Sequence, residues 1–125
     1  MPAVLARWAP VVVYMGLIFY ESSQTALPSA VEHIWDKALH ASGYALLALL
    51  WLWGLSDRFR RPVTWTVALA AWGLTVVYGA TDEWHQSFVP PRQMDAADWL
   101  ADAIGSAIVV VAGLAACRGR RGRRG

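Results

Sequence analysis

A chain of 125 residues is long enough for one domain, and 57% of its residues are hydrophobic while only 16% are charged. Soluble domains average about 45–50% apolar residues, so the composition argues against an ordinary soluble protein and favours an integral membrane protein. The single cysteine excludes a disulfide within the chain, and the formal net charge of +2 conceals a strongly uneven distribution of charge.

Four segments approach the length of a transmembrane helix, which needs about 20 mainly apolar residues to cross about 30 Å of hydrocarbon. In chain order they are Ala3–Tyr20, Ala38–Leu55, Val63–Thr81 and Ala96–Cys117. The first is the weakest because it contains Arg7 and Pro10, and a cleaved secretory signal peptide is a lesser alternative for it. The segments predict an all-α, polytopic integral membrane protein with about four transmembrane helices, comprising a membrane domain over residues 1–117 and a basic tail over residues 118–125.

Basic residues indicate the orientation of these helices, because cytoplasmic loops of membrane proteins are enriched in lysine and arginine. Three arginines lie in the short loop 54–62, and five follow Cys117. We therefore expect this loop and both termini to be cytoplasmic, with the connections 21–37 and 82–95 outside. The arginine-rich tail is interpreted as a topology signal that attracts anionic lipid, and nucleic acid is not a predicted partner.

Polar residues near the predicted outer ends form three helical stripes at about 100° per residue. The stripes are Asp36, His40 and Tyr44, with Lys37 at the edge; Tyr78, Asp82, His85 and Gln86; and Asp95, Asp98 and Asp102. Glu83 is predicted to stand apart from the second stripe, and Asp95 is the expected N-cap of the fourth helix. A carboxylate that faces lipid costs several kcal/mol, so the stripes should turn toward one another and form a polar, mainly acidic pocket.

The same residues carry a resemblance to a protein family. The stretches IFYESSQ, DKALHASGYALLALL and YGATDEWHQSFVPPRQMDAADWLADAIG resemble, in order, the motifs of the VanZ-like membrane proteins, named for a component of teicoplanin resistance. The matched positions are Ser22, Ser23, Asp36, Lys37, His40, Tyr44, Tyr78, Glu83, Gln86, Arg92, Asp98 and Gly105. Asp102 stands where the family often has asparagine, and Val109 where it commonly has glycine. The resemblance implies a small multi-pass protein of the bacterial cytoplasmic membrane connected with the cell envelope, but no settled reaction.

Three hypotheses for function follow. In the first, the outer pocket binds or acts on a lipid-linked phosphate or cell-wall precursor, with Lys37 and Arg92 holding the anionic head group. The catalytic candidates are Glu83, His40, His85, Asp98 and Asp102, and the ligand-binding candidates are Ser22, Ser23, Asp36, Lys37, His40, Tyr44, Tyr78, Asp82, Glu83, Gln86, Arg92 and Asp98. The second is a non-enzymatic envelope binding or assembly factor. The third, a small transporter, is disfavoured because no ionisable residue lies midway along a predicted span.

No cofactor is predicted from these motifs. The spacings of the zinc hydrolases are missing, so no metal site is assigned, although the meeting of carboxylates and histidines keeps a divalent cation as a lesser alternative. The string DEWH matches a helicase motif by chance, because the chain has no phosphate-binding glycine-rich loop to accompany it. Neither enzymatic activity nor oligomeric state follows from the sequence.

Overall fold

The computed structural model describes residues 2–24, 32–90 and 93–125, and for residues 32–36 it describes the backbone alone. This part of the chain forms four helices: α1 (Pro2–Ser22), α2 (Glu32–Leu55), α3 (Trp65–Gln86) and α4 (Ala96–Gly122). No strand occurs among the described residues, so the all-α prediction is confirmed. Helix α4 continues beyond Cys117, and most of the predicted basic tail is therefore helical.

Three of the helices are long and apolar enough to cross a membrane, namely Pro2–Ser22, Lys37–Leu55 and Ala96–Gly122. Among them is α1, whose sequence makes it the weakest candidate. Helix α3 is not among them, although the sequence predicts it as a strong span. Its 22 residues give a length of about 33 Å, so length is not the limit. Its tryptophans, threonines and terminal acidic pair lower its mean hydropathy instead.

Successive helices run in opposite directions. Arg7, near the start of α1, donates a hydrogen bond to the Gly54 carbonyl near the end of α2. The Val63 amide, just before α3, donates to Cys117 Sγ near the end of α4, over 3.3 Å. These contacts gather the arginine-bearing ends of the helices at one end of the bundle. The polar stripes consequently meet at the opposite end.

Helices α2, α3 and α4 pack against one another, and α1 packs against α2 and α3. Helix α1 contributes only Val11 and Ser22 to the buried residues. Val11 and the partly buried Trp8, Tyr14, Met15 and Ile18 pack in a hydrophobic cluster with α2 and α3. Two hydrogen bonds to backbone carbonyls add to this contact: Tyr14 donates to Gly43 of α2 over 2.8 Å, and Tyr78 of α3 donates to Met15 over 2.6 Å. The other three helices therefore form the central unit, and α1 lies on its side.

The surface of the bundle is apolar and part of its interior is polar. Large hydrophobic side chains such as Val12, Leu69 and Val111 are each at least 60% exposed. Buried polar residues are Ser22, Ser56, Thr75, Asp82, Glu83, Gln86, Asp98, Asp102 and Ser106. Monomeric soluble proteins rarely expose such extensive apolar surface, whereas helices that face lipid do so over most of their length.

Helices α2 and α4 come into backbone contact at Gly105. A Cβ atom at this position would lie 3.0 Å from Ala41 Cα and would collide with the Ala41 carbonyl group. Only glycine fits there without a backbone shift, as at the close crossings typical of membrane helices. Because Ala41 follows His40 and Gly105 is one turn after Asp102, this contact sets the polar stripe of α2 against that of α4.

We predict that Gly105→Ala lowers the free energy of unfolding by about 1–3 kcal/mol, because the added methyl group overpacks the α2–α4 contact. Gly73→Ala is the matched control, since Gly73 is also helical and a Cβ atom there meets nothing within 4 Å. The measurement is thermal or denaturant unfolding of both variants in detergent, followed by circular dichroism. Equal stability of the two variants would contradict the contact.

Candidate functional site

Two ionisable pairs join α2 to α4 at the polar end of the bundle. Lys37 Nζ lies 2.9 Å from Asp98 Oδ1, and His40 Nδ1 lies 3.1 Å from Asp102 Oδ1. Lys37 and His40 are three positions apart on α2, and Asp98 and Asp102 are four positions apart on α4, so each helix presents its two partners on one face. The predicted meeting of these two stripes is therefore present in the structure, and Asp102 is 1% exposed.

Asp95 links the loop before α4 to both neighbouring helices. Its side chain caps α4 by accepting a hydrogen bond from the Ala97 amide over 2.9 Å, which confirms the predicted N-cap. Lys37 Nζ lies 3.3 Å from the same carboxylate, and the Asp95 amide donates to Glu83 Oε2 over 3.0 Å. The Ala97 amide, with help from Lys37, holds the pKa of Asp95 below its ordinary value.

Helix α3 contributes two adjacent buried acids. Tyr44 of α2 donates its hydroxyl hydrogen to Asp82 Oδ2 over 2.8 Å. Glu83 is 3% exposed and bonded to the Asp95 amide, so the prediction that it stands apart from the stripe is wrong. The buried face of α3 includes Gly79 and Gln86 and is centred between Asp82 and Glu83, because α4 and its preceding loop cover that side of the helix.

Three carboxylate oxygens in this cluster are buried and have no hydrogen-bond partner among the described residues: Asp82 Oδ1, Glu83 Oε1 and Asp102 Oδ2. A buried acceptor without a donor costs about 1–3 kcal/mol, and more when it is charged. Such groups call for a proton, a cation or a hydrogen-bond donor supplied by a ligand. Together with His40, they provide acid and base groups and metal-ligand atoms in one place.

One subset of the cluster has the donor types of a metal centre. A ring nitrogen of His40 and one carboxylate oxygen each of Glu83 and Asp98 all lie within 4.8 Å of one another. The three residues come from three different helices. They could therefore hold a cation at the point where α2, α3 and α4 meet.

The serines and His85 lie at the α1 side of the polar end. Ser23 Oγ is 3.0 Å from His85 Nε2, and the His85 ring stacks on Phe19 with a centroid distance of 4.3 Å. Ser22 is buried, and its hydroxyl donates to the Phe19 carbonyl. These contacts attach α1 to α3. Among the described contacts of His85, none reaches the carboxylates of α4.

The remaining candidates divide into described and undescribed positions. Tyr78 bonds to the α1 backbone at Met15, and Gln86 is buried on the same face of α3 as Asp82. The side chain of Asp36 and the whole of Arg92 lie outside the described residues. The predicted second cation of the pocket, Arg92, therefore lies at a position that the structure does not describe.

Gly79 is a site residue that the stripes do not predict. A Cβ atom there would lie 3.2 Å from Asp102 Oδ2 and 3.3 Å from Tyr44 Cε1, so the glycine makes room for both groups. The available signal was a glycine one turn before Asp82 and Glu83, which is where a third helix needs space to approach.

Asp95 has a role beyond its predicted cap because its amide and carboxylate contact α3 and α2.

No family model matches the chain, and neither a curated protein nor a solved structure matches it significantly. The family resemblance therefore rests on the motifs of the sequence itself.

We predict that Tyr44→Phe lowers the free energy of unfolding by about 1–3 kcal/mol, because it removes the hydroxyl donor from the buried Asp82 carboxylate. Tyr20→Phe is the matched control, since Tyr20 is 65% exposed. Unfolding of both variants in detergent measures the difference. If the two variants are equally stable, the Tyr44–Asp82 bond does not contribute as described.

Proposed function

We propose that the chain is a VanZ-like protein of the bacterial cytoplasmic membrane, and that its polar cluster binds the head group of a lipid-linked envelope component. The observation that carries the proposal is a set of three buried carboxylate oxygens at the junction of three helices, which have no partner in the part of the chain that the structure describes. A network that served packing alone would be more stable with its acceptors satisfied or replaced by apolar groups. Unsatisfied acceptors are better explained by a ligand that brings donors.

In this proposal all four helices cross the membrane, with both termini and the loop 54–62 in the cytoplasm. The apolar exterior and polar interior of the bundle favour a lipid environment. Helix α3 runs antiparallel to its neighbours and has the length of a span, and its lower hydropathy is tolerated because one face packs against α2 and α4. Arginines at one end of the bundle favour that end as cytoplasmic.

The chemistry of the cluster favours a head group rich in hydroxyl or amide donors, as in a lipid-linked glycan. Such donors would satisfy Asp82, Glu83 and Asp102, while the lipid chain would lie against the apolar surface of the helices. Lys37, with 43% of its side chain exposed, is a cation that a phosphate could reach. Arg92 is kept as a second one on the strength of the motif resemblance.

A second candidate is a non-enzymatic assembly factor whose polar end holds helices in register for a partner. The pairs Lys37–Asp98, His40–Asp102 and Tyr44–Asp82 favour it, because each joins two different helices. Buried polar pairs can specify the register of packed helices at some cost in stability. Replacement of the acids by neutral residues distinguishes the two candidates. An assembly role predicts loss of folded protein, whereas envelope binding predicts that folded protein remains.

Reporter fusions test the orientation. A fusion in the loop 87–95 should be active only with a periplasmic reporter, and a fusion after Gly125 only with a cytoplasmic one, because the arginines hold the second end inside. A cytoplasmic loop 87–95 would contradict both the orientation and an outer head-group site.

Complementation tests the function. In a strain that lacks the gene, Glu83→Gln and Asp98→Asn should be present in membranes at normal amounts but fail to restore the parental profile of lipid-linked precursors. Glu21→Gln is the matched control, because it removes an exposed acid at the same end of the bundle. The readouts are mass spectrometry of the precursor pool, susceptibility to teicoplanin, and immunoblots of the protein. If both site variants instead disappear from the membrane, the packing role is favoured.

A further inference from the structure

We propose that His40, Glu83 and Asp98 bind one divalent cation of the Zn²⁺ or Mn²⁺ type at the junction of α2, α3 and α4. The proposal deepens the proposed function, since it rests on the same site and supplies a positive charge to it. It can nevertheless be tested on the purified protein without any envelope component.

The geometry is close to that of a bound ion. The three ligand atoms lie within 4.8 Å of one another. Atoms bound at about 2.1 Å in a tetrahedral site are about 3.4 Å apart, so the widest separation has to shorten by up to roughly 1.4 Å when an ion binds. Rotation of the three side chains would have to supply that movement. One imidazole with two carboxylates suits Zn²⁺ or Mn²⁺, whereas Mg²⁺ and Ca²⁺ prefer oxygen ligands alone.

Glu83 supplies an independent indication of a ligand. The residue is 3% exposed, and one carboxylate oxygen accepts the Asp95 amide hydrogen. The other oxygen, Oε1, has no hydrogen-bond partner within residues 2–24, 37–90 and 93–125. The same carboxylate lies at the junction with His40 and Asp98, since one of its oxygens is within 4.8 Å of their ligand atoms. A cation there would satisfy this buried acceptor.

Asp102 has the position of a residue that orients a metal-binding histidine. Its Oδ1 is 3.1 Å from His40 Nδ1, so it fixes the ring plane and favours Nε2 as the nitrogen for a metal. The Asp102 carboxylate is almost completely buried and would raise the basicity of the imidazole. Asp102 is a positioning residue in this arrangement and not a ligand.

The charge of the cluster also favours a cation. Asp82, Glu83, Asp98 and Asp102 are all buried, and Lys37 is the one lysine or arginine among the described residues that forms an ion pair with this cluster. A cluster with this excess of acids would repel the phosphate of a lipid-linked precursor. A divalent ion would neutralise two charges and could bridge the carboxylates to a phosphate oxygen.

Lys37 is the competitor for this ion. Its ammonium group lies 2.9 Å from Asp98 Oδ1, so a metal must either use Oδ2 of Asp98 or displace the lysine. Removal of the lysine charge should therefore strengthen metal binding. If Lys37 is the only cation that the site binds, removal of its charge should not strengthen metal binding.

The experiment uses full-length protein without an affinity tag, purified in detergent and stripped with a chelator that is then removed. Zn²⁺ binding is measured by competition with a chromophoric chelator, and Co²⁺ replaces Zn²⁺ for visible absorption spectra. We expect one Zn²⁺ per chain in the wild type. We expect Glu83→Gln and Asp98→Asn each to weaken binding at least about tenfold, because each removes a ligand.

Two further variants sharpen the test. Lys37→Met should tighten binding at least about threefold by removing the competing charge. Glu21→Gln, which removes an exposed acid at the same end, should bind within about twofold of wild type, because exposed charges are screened. Circular dichroism checks the fold of every variant. If Glu83→Gln does not fold, Asp98→Asn, whose side chain is 11% exposed, carries the test.

The proposal is overturned if the wild type binds no Zn²⁺ at millimolar concentration. It is also overturned if the folded ligand variants bind as tightly as Glu21→Gln, since the ion would then be held elsewhere. Neither result bears on whether the cluster binds an envelope component, which the precursor profile tests separately. Conversely, Zn²⁺ binding with an unchanged precursor profile in Glu83→Gln would contradict the proposed function and leave the metal site standing.

Discussion

The backbone contact between Gly105 and Ala41 is the constraint on which the polar end of the molecule depends. At this point the two backbones touch without an intervening side chain, so the helices lie at a close and defined separation. Their neighbouring ionisable residues are thereby held at fixed separations, with His40 beside Asp102 and Lys37 beside Asp98. The site is consequently a product of close helix packing, and the glycine belongs to it as much as the acids do.

The second determinant is the difference between the two ends of the bundle. At one end arginines lie on tryptophan rings, as Arg7 does on Trp8 and Arg118 on Trp65, at centroid distances of 4.9 and 5.3 Å. These guanidinium groups make cation–π contacts with the aromatic faces. At the other end four acids are buried among the helices, and within the described residues Lys37 is the one lysine or arginine paired with this cluster. The arginines at the first end therefore interact with the surroundings of the bundle. The acids at the second end interact with groups inside the bundle or with a ligand.

Much of the architecture follows from the sequence, because apolar length predicts helices and helical periodicity predicts which polar residues share a face. The cap at Asp95 was predictable from its position after the proline break. The orientation of α3 was not predictable, because a polar stripe defines the face of a helix only to within a wide arc. Glu83 lies on the buried side because α4 and its preceding loop cover that part of the arc. Which residue of another helix each acid contacts depends on the distances between the helices. Periodicity carries no information about those distances, and Gly79 was missed for the same reason.

The attachment of α1 has a consequence for how the sequence can vary. Arg7, Tyr14 and Tyr78 each donate to a backbone carbonyl, and every residue type provides such an acceptor. Substitution at Gly43 or Met15 leaves the acceptor in place, whereas a Cβ atom at Gly54 would lie 2.7 Å from the Trp8 ring. Outside its packed residues Trp8, Val11, Tyr14, Met15 and Ile18, α1 should accumulate neutral apolar substitutions faster than the other helices. Divergence among relatives would then be concentrated in the first helix, while its position on the bundle persisted.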